Sequence, residues 1–307
     1  MVPEAEFRSY YGLPVINKPV WEPLDIGGYL FLGGLAGASS AAAVVADAHG
    51  LSQLSRVWKA GAAGAATLSL VALVHDLGKP ERFVNMLRVV KVTSPMSVGS
   101  WLLSAYAPAA LVAAASELTG RSRMLGTAAT VGAGVLGPAV ASYTAVLISN
   151  TAVPAWHDAF REMPFVFVGS GAMAAGGLGL VGAPADQQGL PRRLALTGAA
   201  AELVASQILE HRIGLPRESY KRGRAGVLMR LGEGTAAAGC ALAVAGKRKR
   251  AARVAGGLLL VASSALTRFG IFQAGMDSAD DPEHTVRPQR ERLERSESST
   301  SARASSA

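Results

Sequence analysis

The sequence predicts an all-helical integral membrane protein with eight transmembrane helices. Half of its 307 residues are hydrophobic and only 17% are charged, whereas soluble domains usually carry about 25% charged residues. The mean hydropathy is positive, at +0.28. Eight apolar runs also approach the length of about 20 residues that an α-helix needs to cross the hydrocarbon core. Composition and run length therefore indicate the same class of protein.

The eight predicted spans are separated by polar or basic segments. They cover residues 25–48, 57–74, 97–115, 125–151, 164–181, 194–213, 226–245 and 252–272. The seventh has the weakest pattern, because Arg230 and Glu233 lie in its first turns. Residues 1–23 form a polar, proline-broken segment before the first span. Residues 277–307 lack an apolar period, so we expect a disordered polar tail there.

Several functional classes are disfavoured by composition. The net charge is +8, but the basic residues lie in short clusters between apolar runs, as membrane anchors do, which argues against nucleic-acid binding. The single cysteine, Cys240, excludes an intramolecular disulfide and an iron–sulfur cluster held by this chain alone. The histidines are His49, His75, His157, His211 and His284, and none lies in the middle of a predicted span. We therefore expect neither haem nor metal in this chain.

The most polar interruption between two spans is the stretch at residues 75–101. Because successive spans alternate in direction, it shares one membrane side with the start of the first span and the end of the fourth. Residues 81–89 are predicted to form a short interfacial helix with Phe83, Met86 and Leu87 on one side. Loop Lys and Arg residues are balanced between the two sides, so the positive-inside rule does not orient the chain.

Polar and aromatic residues converge on the side of this stretch. The candidates for a site are Asp25, Tyr29, His75, Asp76, Trp101, Tyr143, Leu147 and Asn150. Tyr143 and Asn150 are two helical turns apart, so we expect them to share one face, with Leu147 as an apolar wall between them. Polar side chains within spans usually face a bundle interior or a cavity.

This set of residue types suits a quinone. A quinone needs an apolar slot open to lipid, donors for its two carbonyl oxygens, and an acid that delivers protons during reduction. Each residue also has a purely structural interpretation. His75 can stabilise a helix end, Tyr143 and Trp101 can be interfacial aromatics, and Asn150 can join two helices. The convergence of the group is what favours a site.

Two further ionisable residues lie deep within predicted spans. Glu202 falls near the middle of the sixth and Arg268 lies in the eighth. An ionisable residue at that depth is a functional candidate by default. The pair has two interpretations, a structural ion pair or a step on a proton path, and the ion pair is the one we favour.

Three segments point to a family. The segments FLGGLAGAS, HDLGKPERFVNMLRVVKVTSPMSVGSW and SNTAVPAWH resemble those of the NrfD/PsrC-type integral membrane subunits of the polysulfide reductase family. The resemblance extends over about residues 20–275, by motif in the first half and by hydropathy in the second. It implies two four-helix bundles, with the quinone site in the first, so that residues 24–182 and 183–276 are the expected halves.

The resemblance also implies a function. Such subunits are quinone-reactive anchors of a bacterial plasma membrane, and they exchange electrons with a ferredoxin-like four-cluster iron–sulfur subunit. In many complexes that subunit is joined to a molybdopterin catalytic subunit. By matching positions, Tyr143 and Asp76 are the strongest site residues. Some members carry a histidine where this chain has Tyr29, and a phenol is a poorer proton donor near neutral pH.

Two other functions are compatible with the sequence. A transporter or proton-conducting subunit would use Glu202 and Arg268, and a passive anchor would have lost its pocket. The exposed cations expected in the stretch after the second span are Lys79, Arg82, Arg88 and Lys91. They suit either the docking of a partner subunit or contact with lipid head groups.

Overall fold

Eight long helices make up most of the computed structural model, which describes residues 15–79, 81–246 and 249–291. They are α1 (Pro23–Ala48), α2 (Ser52–Asp76), α3 (Pro95–Thr119), α4 (Arg123–Ser149), α5 (Met163–Gly182), α6 (Gly189–Arg212), α7 (Gly223–Ala245) and α8 (Arg250–Asp280). Short helical turns at Glu81–Met86, Pro154–His157, Ala185–Gln187 and Arg217–Lys221 lie between them. The described residues contain no β-strand, which confirms the all-helical prediction.

Seven of these helices are long and apolar enough to cross a membrane, and α6 is the exception. We predicted the weakest pattern in the seventh span, but α7 meets the criterion. Helix α6 is less apolar than α7 because it carries Glu202, Gln207 and Glu210 along its second half. The chain is therefore a multi-pass membrane protein with seven candidate spans in its described part.

The helix ends follow local sequence signals. α1 begins with Pro23 in its first turn, where a missing backbone N–H costs nothing. α3 begins at Pro95 after Ser94, whose side chain accepts a hydrogen bond from the backbone N–H of Ser97. The short helix predicted at 81–89 is present as Glu81–Met86, with the predicted apolar side half-buried.

Helix α1 lies at the centre of the molecule. It packs against α2 and α4, and also against α5 and α8. Helix α3 contacts α2 and α4, while α5 contacts α6 and α8, and α7 packs mainly on α8. Where α1 crosses α4, Gly37 and Gly137 bring the two backbones into contact. These contacts place the starts of α1 and α3 close to the ends of α2 and α4.

Ion pairs at one end of the molecule, and the hydrogen bond of a buried tyrosine at the other, join neighbouring segments. On the side away from residues 75–101, Lys59 lies 2.8 Å from Asp47 and 3.0 Å from Glu117. On the side of residues 75–101, Tyr220 donates to the carbonyl oxygen of Ala155 at 2.8 Å. Burial raises the pKa of the Tyr220 phenol, so it remains a donor.

The predicted start of the disordered tail is corrected. Helix α8 continues to Asp280, and residues 283–291 are helical. Arg287 pairs with Glu283 at 3.0 Å and with Glu291 at 3.4 Å, one turn away on either side. Such pairs support a helix that has no apolar period. Residues 292–307 of the predicted tail, and residues 1–14 of the polar N-terminal segment, lie outside the described part.

Candidate functional site

The first turn of α1 meets the last turn of α2 through three acidic and basic side chains. His75 Nδ1 lies 2.5 Å from Asp25 Oδ2. The backbone N–H of Glu22, just before α1, donates to Asp76 Oδ1 at 2.9 Å. Asp25, His75 and Asp76, which the sequence placed at two separate span ends, therefore form one cluster. We refer to these three residues as the acid–histidine cluster.

The cluster leaves one nitrogen of His75 available. Because Asp25 occupies Nδ1, that nitrogen carries the hydrogen, and Nε2 is left to meet a ligand. The side chain of His75 is 78% exposed, whereas that of Asp25 is 16% exposed. A neutral His75 offers an acceptor at Nε2 and a protonated one offers a donor, so the same nitrogen can give and take a proton.

An apolar groove begins at His75. It has a volume of about 460 Å³ and is lined by Leu70, Val71, Val74, His75 and Gly78. Three of these residues are aliphatic and lie along one side of the last turns of α2, so the walls are apolar and the single ionisable group is at one end. This is the arrangement that a flat ring with an apolar tail requires.

Two buried tyrosines lie inside the bundle of the first four helices. Tyr29 is 1% exposed and Tyr143 is 9% exposed. The ring of Tyr143 rests on the backbone of Gly99 in α3, where a Cβ atom would overlap it. Leu147 is half-buried against the same core. Neither tyrosine lines the groove, so the predicted residues form two groups rather than one.

Trp101 connects the start of α3 to the loop that precedes it. Its Nε1–H donates to the carbonyl oxygen of Val89 at 3.4 Å, and the hydroxyl of Ser97 donates to the same oxygen at 2.9 Å. The indole is 44% exposed. Trp101 is thus a support of the loop in this structure, and its ring remains open to a ligand or to lipid.

Asn150 was expected to share one face of α4 with Tyr143, and it lies at the C-cap of that helix. Helix α4 ends at Ser149, and Asn150 follows with a ψ of 40°, outside the helical range. The backbone N–H of Asn150 still donates to the carbonyl oxygen of Val146 at 3.0 Å, and its side chain is exposed while that of Tyr143 is buried.

Glu202 and Arg268 lie in the second half of the chain, away from the groove. The guanidinium of Arg268 is fully buried, donates from Nη2 to the carbonyl oxygen of Phe167 at 2.5 Å, and lies 3.6 Å above the ring of that residue. Glu202 is 9% exposed and lies near Thr267 and Ser170. Within the described residues, Glu202 and Arg268 attract each other without forming an ion pair.

A protein-family model matches the first part of the chain. The family model described as "Polysulphide reductase, NrfD" matches residues 15–182, more than half of the chain. The match covers α1 to α5, and with them the acid–histidine cluster, the groove and both tyrosines. A search of curated proteins gives no match. By its matched region and its membrane helices, the chain belongs to the NrfD polysulphide reductase family, whose members are membrane subunits of reductase complexes.

Proposed function

We propose that this chain is the quinone-reactive membrane subunit of a respiratory oxidoreductase complex in a bacterial plasma membrane. In this proposal it passes electrons between the quinone pool and a ferredoxin-like four-cluster iron–sulfur subunit. A molybdopterin catalytic subunit completes the complex, and this chain carries neither haem nor metal. The observation that carries the proposal is the apolar groove that ends at His75, with Asp25 fixing the imidazole.

The groove supplies what quinone chemistry requires. The ring enters along the aliphatic side chains of α2, and its tail extends into lipid. Full reduction adds two electrons, which the iron–sulfur partner supplies, and two protons, which must come from groups connected to water. His75 donates from Nε2 to one carbonyl oxygen, and Asp76 with Asp25 exchanges protons with solvent. Oxidation of quinol follows the same steps in reverse.

The second carbonyl oxygen is assigned to the phenol of Tyr143. Tyr143 does not line the groove, and its ring contacts Gly99 of α3. In this proposal the head group inserts between the helices of the first bundle far enough to meet that phenol. Leu147 and Trp101 contribute apolar contact at the edge of the same space.

The proposed architecture has eight spans in two four-helix bundles. It is supported by the contacts of α1 with α2 and α4, of α3 with both, and of α5 with α6 and α8. Helix α6 is included as a span because Glu202 is buried within the protein and Glu210 pairs with Lys221 at 2.7 Å. The iron–sulfur subunit docks over the segment between α2 and α3, where Lys79, Arg82, Arg88 and Lys91 are exposed. Lipid head groups are the other occupant that these cations suit.

The proposal is tested by replacing Tyr143 with phenylalanine in the purified complex. Loss of one hydrogen bond, worth about 0.5–1.5 kcal/mol, is expected to raise the KM for quinone by roughly 2- to 12-fold. Tyr106→Phe is the matched control, because that buried phenol pairs with Ser40 in the same bundle. Unchanged quinone turnover in both Tyr143→Phe and Asp76→Asn removes the site and leaves a passive anchor.

A second test moves Tyr143 without changing it. In Gly99→Ala the new methyl group overlaps the ring of Tyr143, so the phenol must shift. We expect quinone turnover to fall by about 10-fold, which corresponds to about 1.4 kcal/mol. In Gly28→Ala the methyl group meets nothing within 4 Å, and turnover should stay as in the wild type. Equal activity of the two variants contradicts the assignment of Tyr143.

A transporter or proton-conducting subunit without quinone chemistry is the second candidate. It is favoured by the position of Glu202, which is nine-tenths buried yet borders a cavity between helices. In proteoliposomes this function requires proton or solute flux that Glu202→Gln abolishes and that continues when quinone is absent. Flux that needs quinone turnover argues against it.

A further inference from the structure

A buried arginine lies in the first turns of α8, at the end of the helices away from residues 75–101. Arg253 is 7% exposed, and its Nε has no hydrogen-bond partner within the described residues. No acidic side chain forms an ion pair with it in the part of the chain that the structure describes. Buried charges in proteins are normally paired, because the desolvation of an unpaired charge is costly. Arg253 therefore calls for an anion from outside the chain.

A second arginine lies at the same end of the helices. Arg192 is half-buried in the first turn of α6, and its Nε donates to the carbonyl oxygen of Ala243, near the end of α7, at 2.8 Å. This bond holds the guanidinium in place and leaves its two Nη atoms for a ligand. Ala195, Ala243 and Leu260 belong to one core cluster. Arg192 lies three residues before Ala195 on α6. Arg253 lies seven residues before Leu260, two turns along one face of α8, so both arginines border the same core cluster.

The two helices that begin at this end also favour an anion. Their N-cap residues, Gln188 of α6 and Lys249 of α8, make no side-chain hydrogen bond that would cap the first backbone N–H groups. Unsatisfied N–H groups and the helix dipole attract negative charge to a helix N-terminus. Arg193 and Arg250 are exposed beside these two helix starts and add positive charge. The ligand that fits this end is therefore an anion with several acceptor oxygens.

The position of these groups favours a phospholipid as the source of the anion. Helices α7 and α8 are both candidate membrane spans, and the two arginines lie where these spans end. Val244 of α7 and Leu258 of α8 are 47% and 56% exposed, so apolar surface suited to acyl chains adjoins the cations. The segment proposed to dock the iron–sulfur subunit lies between α2 and α3, at the other end of the helices. A lipid head group therefore suits this end better than an acidic protein.

We propose that Arg253 and Arg192 bind the phosphate of an anionic phospholipid, such as phosphatidylglycerol, where α7 ends and α6 and α8 begin. The phosphate oxygens accept hydrogen bonds from both guanidinium groups, which supplies the buried charge of Arg253 with its partner. The acyl chains lie along the outside of α7 and α8. The site is separate from the quinone chemistry proposed for the groove, since none of its residues lines that groove.

The test is the melting temperature of the purified full-length chain, freed of lipid in dodecyl maltoside. Dioleoyl phosphatidylglycerol is compared with dioleoyl phosphatidylcholine, which has the same acyl chains but no net charge, and with inorganic phosphate. At about ten times its Kd, phosphatidylglycerol should raise the melting temperature by about 3–6 °C. Phosphatidylcholine and inorganic phosphate should leave it nearly unchanged.

Arg253→Met distinguishes a lipid site from a purely structural role. Because the substitution removes an unpaired buried charge, the variant without lipid should melt at the wild-type temperature or above it. Its affinity for phosphatidylglycerol should fall at least about 10-fold with the loss of charged hydrogen bonds. At the same lipid concentration the shift should then be only about 1–2 °C. Arg193→Met is the matched control, because it removes an exposed cation at the same end and should keep the full shift.

Three results overturn the proposal. They are an equal shift by phosphatidylglycerol in the wild type and Arg253→Met, an equal shift by phosphatidylcholine, and an equal loss of the shift in Arg193→Met. A shift produced by inorganic phosphate alone overturns the lipid as the source and assigns a free anion. Should Arg253→Met fail to fold, Arg192→Gln decides in the same way, with an expected shift below half that of the wild type. Quinone turnover does not enter the measurement, so failure of the groove proposal would leave this result unchanged.

Discussion

Replacing Asp76 with asparagine is expected to lower quinone turnover by about 100-fold or more, the size of a general acid–base contribution. The substitution should keep the hydrogen bond that Asp76 makes while it removes the exchangeable proton. Asp76 Oδ1 accepts the backbone N–H of Glu22 at 2.9 Å, and an asparagine side-chain oxygen can accept the same bond. The amide cannot exchange a proton at any working pH. The junction of α1 and α2 should therefore persist while proton delivery fails.

The measurement is kcat for decylubiquinone in the purified complex, with the melting temperature recorded beside it. Asp186→Asn is the matched control, because Asp186 is exposed in the short helical turn at Ala185–Gln187, on the other side of the molecule. Asp76→Glu should recover part of the activity, since it restores a carboxyl group. A kcat within about twofold of the wild type in Asp76→Asn would assign proton exchange to the Asp25–His75 pair instead.

Much of the fold follows from simple rules of sequence. Apolar runs predicted the eight long helices, and alternation of span direction brought the start of α1 beside the end of α2. The contact between Asp25 and His75 is the outcome of that alternation. The groove was not predictable, because it depends on which side of α2 remains uncovered once α1 and α3 have packed. A single sequence does not encode that choice in its periodicity.

The corrections have local causes. Asn150 was expected to share one face with Tyr143, but at the C-cap of α4 its side chain is exposed while that of Tyr143 is buried. The helix at 283–291 has no apolar repeat and depends on charge pairs around Arg287, a signal present in the sequence as Glu283 and Glu291. The ion pairs of Lys59 were missed because Asp47 lies near the end of the first predicted span and Glu117 lies just after the third. Side-chain partners between distant segments are fixed by packing, which periodicity does not report.

The crossing of α1 and α4 is the contact on which the inner part of the site most depends. α1 carries Asp25 and Tyr29, and α4 carries Tyr143. At the crossing, a Cβ on Gly37 would overlap the carbonyl oxygen of Gly137, and a Cβ on Gly137 would overlap that of Gly37. Backbone oxygens cannot turn aside as flexible side chains do. An added methyl group must therefore push the two helices apart.

Gly37→Ala is expected to destabilise the protein by about 1–3 kcal/mol, the usual cost of overpacking. The melting temperature in detergent should fall by roughly 2–4 °C per kcal/mol, and quinone turnover should fall with it as Tyr29 and Tyr143 separate. Gly132→Ala is the matched control on α4. A methyl group there meets nothing within 4 Å, and alanine is the better helix former by about 1 kcal/mol.

The double variant Gly37→Ala/Gly137→Ala tests whether the two glycines act on one contact. Once the first methyl group has separated the helices, the second enters space that is already open. The combined loss of stability should therefore be smaller than the sum of the single losses, by about 0.5 kcal/mol or more. Strictly additive losses would mean that the two positions act independently, and that the spacing of Tyr29 and Tyr143 is set elsewhere along α1 and α4.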